Sequence, residues 1–369
     1  MPTPPFRAEH VGSFLRPREI MAAREHRARG EITAEELREI EDTHIRDVVG
    51  RQEAVGLTGI TDGEFRRLFF HIDFLEALDG VNVTYGDFFA HFRRDDGTEV
   101  GFRPPTMRVE EPLRHSQPIQ GPGFDFLASV VTKTPKVSIP APSMLHFRGG
   151  REAISSEVYP DLDDFFADLT AAYREEIADL AERGCRYLQM DDTNLAYLCD
   201  PSIRQQKTEQ GEDPDELTRL YCRLVNESIK DRPDDMVAAI HLCRGNFRSA
   251  WVSEGGYEPV AEILFNEMEV DAFFLEYDNE RSGDFAPLRL MPDDKQVILG
   301  LMSSKKPDVE DADALKGRIE EATKYVDIGQ CGLSHQCGFS STADGNELAE
   351  SDQWRKLART VEVATDVWG

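Results

Sequence analysis

The sequence contains no uninterrupted run of 18 apolar residues, the length a helix needs to cross a bilayer, so neither a membrane-spanning helix nor a membrane partner is expected. It also lacks basic charge. Against 70 Asp and Glu stand 42 Lys and Arg, and the formal net charge is −28. A phosphate backbone requires a basic surface, so nucleic acid is excluded as a partner. Lysine is scarcer still, with 10 among those 42 basic residues. An acidic excess with few lysines fits a salt-rich cytoplasm, and GC-rich coding alone gives the same arginine bias. The acidic residues are spread along the chain rather than gathered in a tail, which points to a solvated acidic surface.

The opening MPTPPFRAEHVGSFLRP has no basic stretch followed by an apolar one, so no secretory leader is expected and a cytoplasmic location follows. Cysteine is sparse in that setting. Cys185, Cys199, Cys222, Cys243, Cys331 and Cys337 do not read as a disulfide framework. Metal ligand, nucleophile and small buried hydrophobe remain open for each. There is no internal repeat, low-complexity segment or interdomain linker, and residues 1–369 are read as one domain.

What is present is an alternation. Eight short β-type runs occur at 9–14, 56–65, 136–142, 186–193, 236–245, 271–278, 296–304 and 326–334, each followed by helix-type sequence. Several are nearly continuous apolar runs, as parallel strands covered on both faces require. The segment 163–184 places Phe166, Leu169, Tyr173, Ile177 and Leu180 on one helical stripe, and 213–231 and 307–326 read similarly. Residues 18–55, rich in Arg and Glu, read as one long helix or a helical hairpin. Eight strand-helix alternations predict an α/β fold, a (β/α)8 TIM barrel. The connection after the second run is too long for one helix. Its Asp95-Asp96-Gly97 turn between β-type stretches predicts an inserted β-hairpin.

In such a barrel the site is built at the carboxyl ends of the strands. The second run ends in Thr61-Asp62-Gly63-Glu64, the fourth in Gln189-Met190-Asp191-Asp192, the fifth in His241-Leu242-Cys243 and the sixth in Glu276-Tyr277-Asp278. His241 and Cys243 are two apart, so an extended strand points both to one face, where they can take two corners of a zinc tetrahedron. Glu276 and a cysteine after the last run, Cys331 or Cys337, are candidates to complete it.

The motifs VGSFLRP, TDGEFRR, LQMDD and HLCRGN, the sixth-run Glu and the Cys-Gly after the eighth, in this order, resemble the catalytic barrel of cobalamin-independent methionine synthase and its single-domain relatives. The resemblance runs from about His10 to about Ser341. It implies that His241, Cys243, Glu276 and Cys337 hold Zn²⁺. It also implies that Glu64 and Asp191 hold the amino group of homocysteine and that Ser13 receives its carboxylate. His335 is a candidate neighbour of the metal site or a core histidine. In the family's two-barrel enzymes a histidine after the seventh strand helps protonate a folate leaving group. Lys305 stands at that position here, so Lys305 and Asp191 are the candidate catalytic residues, and the methyl donor is left open among a folate, methylcobalamin and a corrinoid protein.

The chemistry agrees. A free thiol with a pKa near 8.5 is mostly protonated at neutral pH, and coordination to zinc removes that proton. Two thiolates and a carboxylate around Zn²⁺ keep electron density on a substrate sulfur, which suits alkyl transfer better than hydrolysis. Two other readings follow. One is addition of a different thiol to an epoxide, as in coenzyme M-dependent lyases, for which Arg16, Arg66, Arg244 and Lys305 are the cationic candidates. The other is a non-catalytic zinc- or thiol-binding protein. Self-association into a homo-oligomer is left open.

Overall fold

The computed structural model describes residues 3–85 and 89–369. The amino-terminal segment is a helical hairpin, Arg18–Ala28 followed by Ala34–Val55. The second helix starts at Thr33, whose hydroxyl accepts from Glu36 N at 3.1 Å while Thr33 N donates to the Glu36 carboxylate at 2.7 Å. It ends at Gly56, whose φ of 102° glycine adopts without cost.

The strands are, in order, β1 (Gly59–Ile60), β2 (Asp79–Thr84), β3 (Ala90–Arg93), β4 (Glu99–Phe102), β5 (Thr106–Arg114), β6 (Thr134–Pro135), β7 (Val137–Pro140), β8 (Tyr187–Asp192), β9 (Val237–Leu242), β10 (Ala272–Glu276), β11 (Gln296–Met302) and β12 (Cys331–His335). Strands β7 to β12 form a six-stranded parallel sheet whose spatial order is the sequence order. Their residues are buried almost throughout, as the continuous apolar runs require. Strand β1 pairs in parallel with β6, Gly59 opposite Thr134, and β6 passes through Lys136 directly into β7. Beyond the other edge, Leu333 N donates to Arg7 O at 2.8 Å and Glu9 N to Leu333 O at 2.9 Å.

Helices Leu162–Glu182 and Pro214–Ile229 pack on one another outside the sheet. The expected stripe buries Leu169, Tyr173, Ile177 and Leu180, with Phe165 rather than Phe166 fully buried beside them. The 307–326 segment is helical only over Ala312–Ala322, which begins at Asp311, whose side chain accepts from Ala314 N.

Around Asp95-Asp96-Gly97, β3 and β4 pair antiparallel, Ala90 opposite Phe102, with Gly97 at a φ of 82° in the turn. A second antiparallel pair, β2 with β5, lies outside it in sequence. The outer pair was not anticipated, although Val81 and Val83 alternate as a strand should.

Residues 9–14, expected as a strand, form no ladder; Ala8 makes only a bridge to Leu333. The reason is that side chains of neighbouring strands satisfy this segment's carbonyls. Lys136 Nζ donates to His10 O at 2.7 Å, Gln189 Nε2 to Val11 O at 2.6 Å and Thr61 Oγ1 to Gly12 O at 2.7 Å.

Lys136 and Glu9 form a fully buried ion pair at 3.2 Å. Glu9 also accepts from Tyr187 OH at 2.7 Å and Phe6 N at 2.9 Å. Breaking one half of such a pair strands the other charge, at about 3–5 kcal/mol. Glu9→Ala should lower unfolding free energy by that amount in urea denaturation, and Glu9→Gln with Lys136→Met should restore most of it. A Glu9→Ala protein as stable as the parent would contradict this account of the segment.

Candidate active site

The strand register sets the site. Asp191 on β8 lies opposite His241 on β9, and His241 lies opposite Phe274 on β10, two residues before Glu276. One residue past the end of β9, Cys243 N donates to Asp192 O at 2.7 Å, so the extended course continues far enough to keep His241 and Cys243 on one side. Cys337 follows β12 by two residues. The result is that one ligand atom from each of His241, Cys243, Glu276 and Cys337 lies within 4.8 Å of the other three, and all four residues are buried.

The two sulfurs are 3.4 Å apart. In a tetrahedral zinc site with Zn–S bonds of about 2.3 Å the S···S edge is about 3.8 Å, so small movements suffice. Neither ring nitrogen of His241, nor Glu276 Oε2, has a hydrogen-bond partner among the described residues. Buried polar atoms left in this way, on a set of two sulfurs, a nitrogen and an oxygen, fit a zinc ion. The remaining Glu276 oxygen accepts from Arg244 N at 2.7 Å, and Asn246 Nδ2 lies 3.5 Å from Cys337 Sγ; both fix ligand orientation.

Electrostatics in the cluster are unequal. Cys337 is held well below the usual thiol range, first by the hydrogen bond from Cys243 and then by His241 and Lys305. Cys243 is pushed well up by the same bond and by burial. Burial works against a charged His241, yet Cys337, Asp191 and Glu276 together raise it.

Three of these ligands border a small central cavity of about 60 Å³. His241, Cys243 and Cys337 line it together with Ser13, Glu64 and Asp191. Glu64 sits in the Asp-Gly-Glu turn at a φ of 60°, a left-handed conformation that side-chain-bearing residues adopt at a cost of about 1–2 kcal/mol, and Asp62 steadies it by accepting from Glu64 N at 2.8 Å. Gly338 is required for close approach, because a Cβ there would lie 2.0 Å from Ser13 Oγ. That contact ties the Cys-Gly motif to the VGSF motif, and Ser13 Oγ accepts from Ser340 N at 3.2 Å.

The arginines after Glu64 separate. Arg66 turns outward to Asp42 at 2.5 Å, whereas Arg67 turns inward, pairs with Glu64 and lies 3.8 Å from Asp191. Burial pushes the Glu64 carboxyl up to about 7, against the pull of Arg67 and with Asp191 adding to the rise. Asp191 is raised as well, chiefly by burial, with His241 and Arg67 opposing.

Other candidates fall elsewhere. Lys305 is buried, and its Nζ has no hydrogen-bond partner among the described residues. It lines a neighbouring cleft with Arg94, Trp251, Asp278 and Arg281 rather than the central cavity. Cys331 donates to Asp327 O and is not part of the cluster. His335 is a core residue beside Phe339, with ring centroids 4.8 Å apart. Arg16 donates to Ser340 and Glu64 backbone oxygens, and Arg244 stacks on Tyr257; neither lines the cavity.

Sequence reasoning missed the aromatic cover. Phe92 of β3 and Phe102 of β4 line the cavity with Phe69, Phe70 and Phe247, and Phe102 stacks on Phe247 at 4.2 Å. The inner hairpin is held in place by Arg93, which exchanges backbone hydrogen bonds with Trp251 at 2.7 and 2.8 Å. Arg94 to Glu347 and Lys306 to Asp95 add ion pairs at 2.6 and 2.5 Å. The available signal was the density of phenylalanine in the long connection.

Fold and site together define an α/β protein of parallel-sheet type in which two cysteines, a histidine and a glutamate form a buried cluster suited to a metal at the strand ends. The family described as the cobalamin-independent synthase catalytic domain matches residues 6–91 and 137–365, and the chain belongs to it. It is 44% identical to the uncharacterized protein YxjG of Bacillus subtilis, over 99% of this chain and 95% of that one. It is 26% identical to a methionine synthase of Saccharolobus solfataricus, over 95% and 92% of the two chains. The crystal structure of a putative vitamin-B12-independent methionine synthase from Listeria monocytogenes superimposes with a TM-score of 0.80 at 41% identity, covering 100% of both chains.

The raised Glu64 has a measurable consequence. A carboxyl whose folded value, about 7, exceeds its ordinary 4.5 contributes its full stability below pH 4.5 and loses it as pH rises through 7. Glu64→Gln removes that dependence. In zinc-free protein, the stability of the parent relative to Glu64→Gln should fall by about 3 kcal/mol between pH 4 and pH 8, read by urea denaturation. Parallel pH profiles would show that Glu64 titrates normally.

Proposed function

We propose that the chain is a zinc-dependent S-methyltransferase that converts homocysteine to methionine, built as a single (β/α)8 barrel over residues 1–369 with a β-hairpin inserted after its second strand. The barrel reading is supported by the sequence order of the parallel strands. It is supported too by β1 pairing beyond β7 and by residues 7–9 bonding to β12 at the other edge. The pair β3–β4 falls between β1 and β6, where the insertion is placed.

The observation that carries the functional reading is the convergence of His241, Cys243, Glu276 and Cys337 beside a cavity whose wall also presents Glu64 and Asp191. Zinc held by these four groups would supply a Lewis acid that removes the proton of a substrate thiol and keeps its sulfur nucleophilic at neutral pH. Glu64 and Asp191 bind the amino group, Asp191 being the carboxylate nearer His241 in the sheet. Ser13, held against Gly338, receives the carboxylate. Phe69, Phe92, Phe102 and Phe247 exclude water from the cavity, which strengthens each polar contact within it. Lys305 is the candidate acid for the departing donor. Because it lies in the adjoining cleft, the donor must extend there to meet it. A folate, methylcobalamin and a corrinoid protein are the donors to be compared. The printed name of the Saccharolobus relative, which this chain matches over nearly its whole length, supports methionine as product.

Addition of an anionic thiol to an epoxide has less support, because Arg16, Arg66, Arg244 and Lys305 all lie off the cavity and Arg67, which lines it, is paired with Glu64. A non-catalytic zinc protein would bind thiol tightly without turnover with any of the three donors.

Homocysteine should bind the zinc-loaded protein with release of about one proton, measured by calorimetry in buffers of different ionisation enthalpy. Cys243→Ser should abolish the proton release. Binding without proton release, or release that survives in Cys243→Ser, would overturn the thiol-activation reading. Removal of zinc with a chelator should abolish both homocysteine binding and methyl transfer, and added Zn²⁺ should restore them.

A further inference from the structure

The loops after β10 and β11 border a side cleft of about 330 Å³, with the β3–β4 turn and Trp251 on its rim. Lys305 and the Arg281 side chain line it, and each is only 7% exposed. Neither spends most of its donors. Lys305 Nζ has no hydrogen-bond partner among the described residues, and nor have Arg281 Nε and Nη2. Only Arg281 Nη1 is used, donating to Ser253 O at 3.2 Å. Glu276 and Asp278 stand 3.6 and 3.5 Å from Arg281 as ion pairs without a hydrogen bond. The rim differs, because its charges are matched: Arg94 pairs with Glu347 and Lys306 with Asp95.

Lys305 is held in place by its backbone. Ser303 Oγ accepts from Lys305 N at 3.2 Å, Gln336 Oε1 accepts from Ser304 N at 2.6 Å, and Asn346 Nδ2 donates to Ser304 O at 2.9 Å. The loop thus fixes the start of the side chain, and its flexible stem lets the ammonium turn to a ligand in the cleft. Offsetting the charge of the metal cluster needs only the field of these cations, not idle N–H groups. A buried donor without an acceptor is costly, so charge balance alone leaves these donors unexplained. The idle pair on Arg281 is also the edge of the guanidinium whose two N–H bonds run parallel, the edge that grips two oxygens of one group. Glu276 belongs to the metal cluster, which leaves Arg281 and Lys305 facing Asp278 at the inner end of the cleft, two positive charges against one negative. Asp278 Oδ1 has no hydrogen-bond partner either, so it has room for a donor brought by the same ligand.

We propose that this cleft is an oxyanion seat, in which Arg281 and Lys305 receive a phosphate or carboxylate group and Asp278 accepts from a neighbouring O–H or N–H of that ligand. The seat is separate from the central cavity, which none of these three residues lines. Two sources carry this chemistry. One is a free phosphate-bearing metabolite, and the other is an anionic group appended to the methyl donor, which must extend here to meet Lys305. A folate carries carboxylates beside an amide N–H, and methylcobalamin carries a phosphate. The seat stands on the cleft alone, whereas its assignment to the donor rests on the methyl-transfer reading.

The test is a phosphorus NMR titration of inorganic phosphate, whose P–OH at neutral pH suits Asp278, into zinc-loaded full-length protein. The parent should bind phosphate with a Kd of about 1 mM or tighter. Lys305→Met should weaken binding about 10- to 100-fold, and Arg281→Lys should weaken it less, because lysine keeps the charge but loses the parallel donors. Lys316→Met, which removes a charge from an exposed pair with Asp366, should leave the Kd unchanged. Zinc content and thermal unfolding establish that each variant is folded and loaded. A parent that binds no phosphate overturns the proposal, and so does binding that Lys305→Met leaves intact. If that surviving binding is lost in Cys243→Ser, the anion sits on the metal instead. With phosphate bound, 5-methyltetrahydrofolate and methylcobalamin are then added, each beside an analogue without its anion, the folate diamide and methylcobinamide. Displacement of phosphate by a donor but not by its analogue assigns the seat to that donor. Displacement by none of them assigns it to a free phosphate-bearing metabolite, so the seat survives and only its link to methyl transfer falls.

Discussion

Concentrated negative charge in a dry interior is the constraint on which the rest of this structure depends. Two cysteines and a glutamate that would hold a metal, with Glu64, Asp191 and Asp278 around them, are gathered at one end of the parallel sheet. Charges of one sign so placed are tolerated only if cations are brought to them. The structure supplies these from the loops: Arg281 lies 3.6 Å from Glu276 and 3.5 Å from Asp278, Lys305 pulls on both cysteines, and Arg67 pairs with Glu64. What remains, the paired sulfurs, the ring nitrogens of His241 and a Glu276 oxygen without a hydrogen bond, is the balance that a divalent metal meets.

The same constraint accounts for the cover. The aromatic side chains of the inner hairpin and of Phe247 stand between the charged floor and solvent, and the hairpin is fastened by main-chain bonds to Trp251 and by ion pairs to Glu347 and Lys306. A segment far from the sheet in sequence is therefore part of the site, closing a cavity whose other walls are strand ends. Below the site, the buried Lys136–Glu9 pair replaces strand pairing that residues 9–14 do not make, and so fixes the segment that presents Ser13.

How much of this was legible follows from how local each signal is. His241, Cys243 and Glu276 stood out because polar, metal-binding types ended otherwise apolar strand runs, and the strand period of two placed the first pair on one face. Cys337 rather than Cys331 came from the resemblance alone, and the cluster agrees with it. The two-residue β1 and the missing ladder at 9–14 were not legible, because the groups that bond those backbones are side chains far away in the sequence, such as Gln189 on Val11 O and Lys136 on His10 O. Nothing in the sequence marked Arg67 as facing inward. Adjacent arginines after a left-handed turn carry no periodicity that says which one points inward. The aromatic cover depends on a loop–hairpin contact between residues far apart in the chain, such as Phe102 with Phe247, and no local pattern announces it.

The most direct test of the central claim is X-ray absorption at the zinc edge, on protein loaded with one zinc ion per chain. The account predicts two sulfur scatterers at about 2.3 Å with two lighter atoms at about 2.0–2.2 Å, and a third sulfur when homocysteine is added. A zinc environment without sulfur, or a sulfur count that stays at two with homocysteine bound, would contradict it.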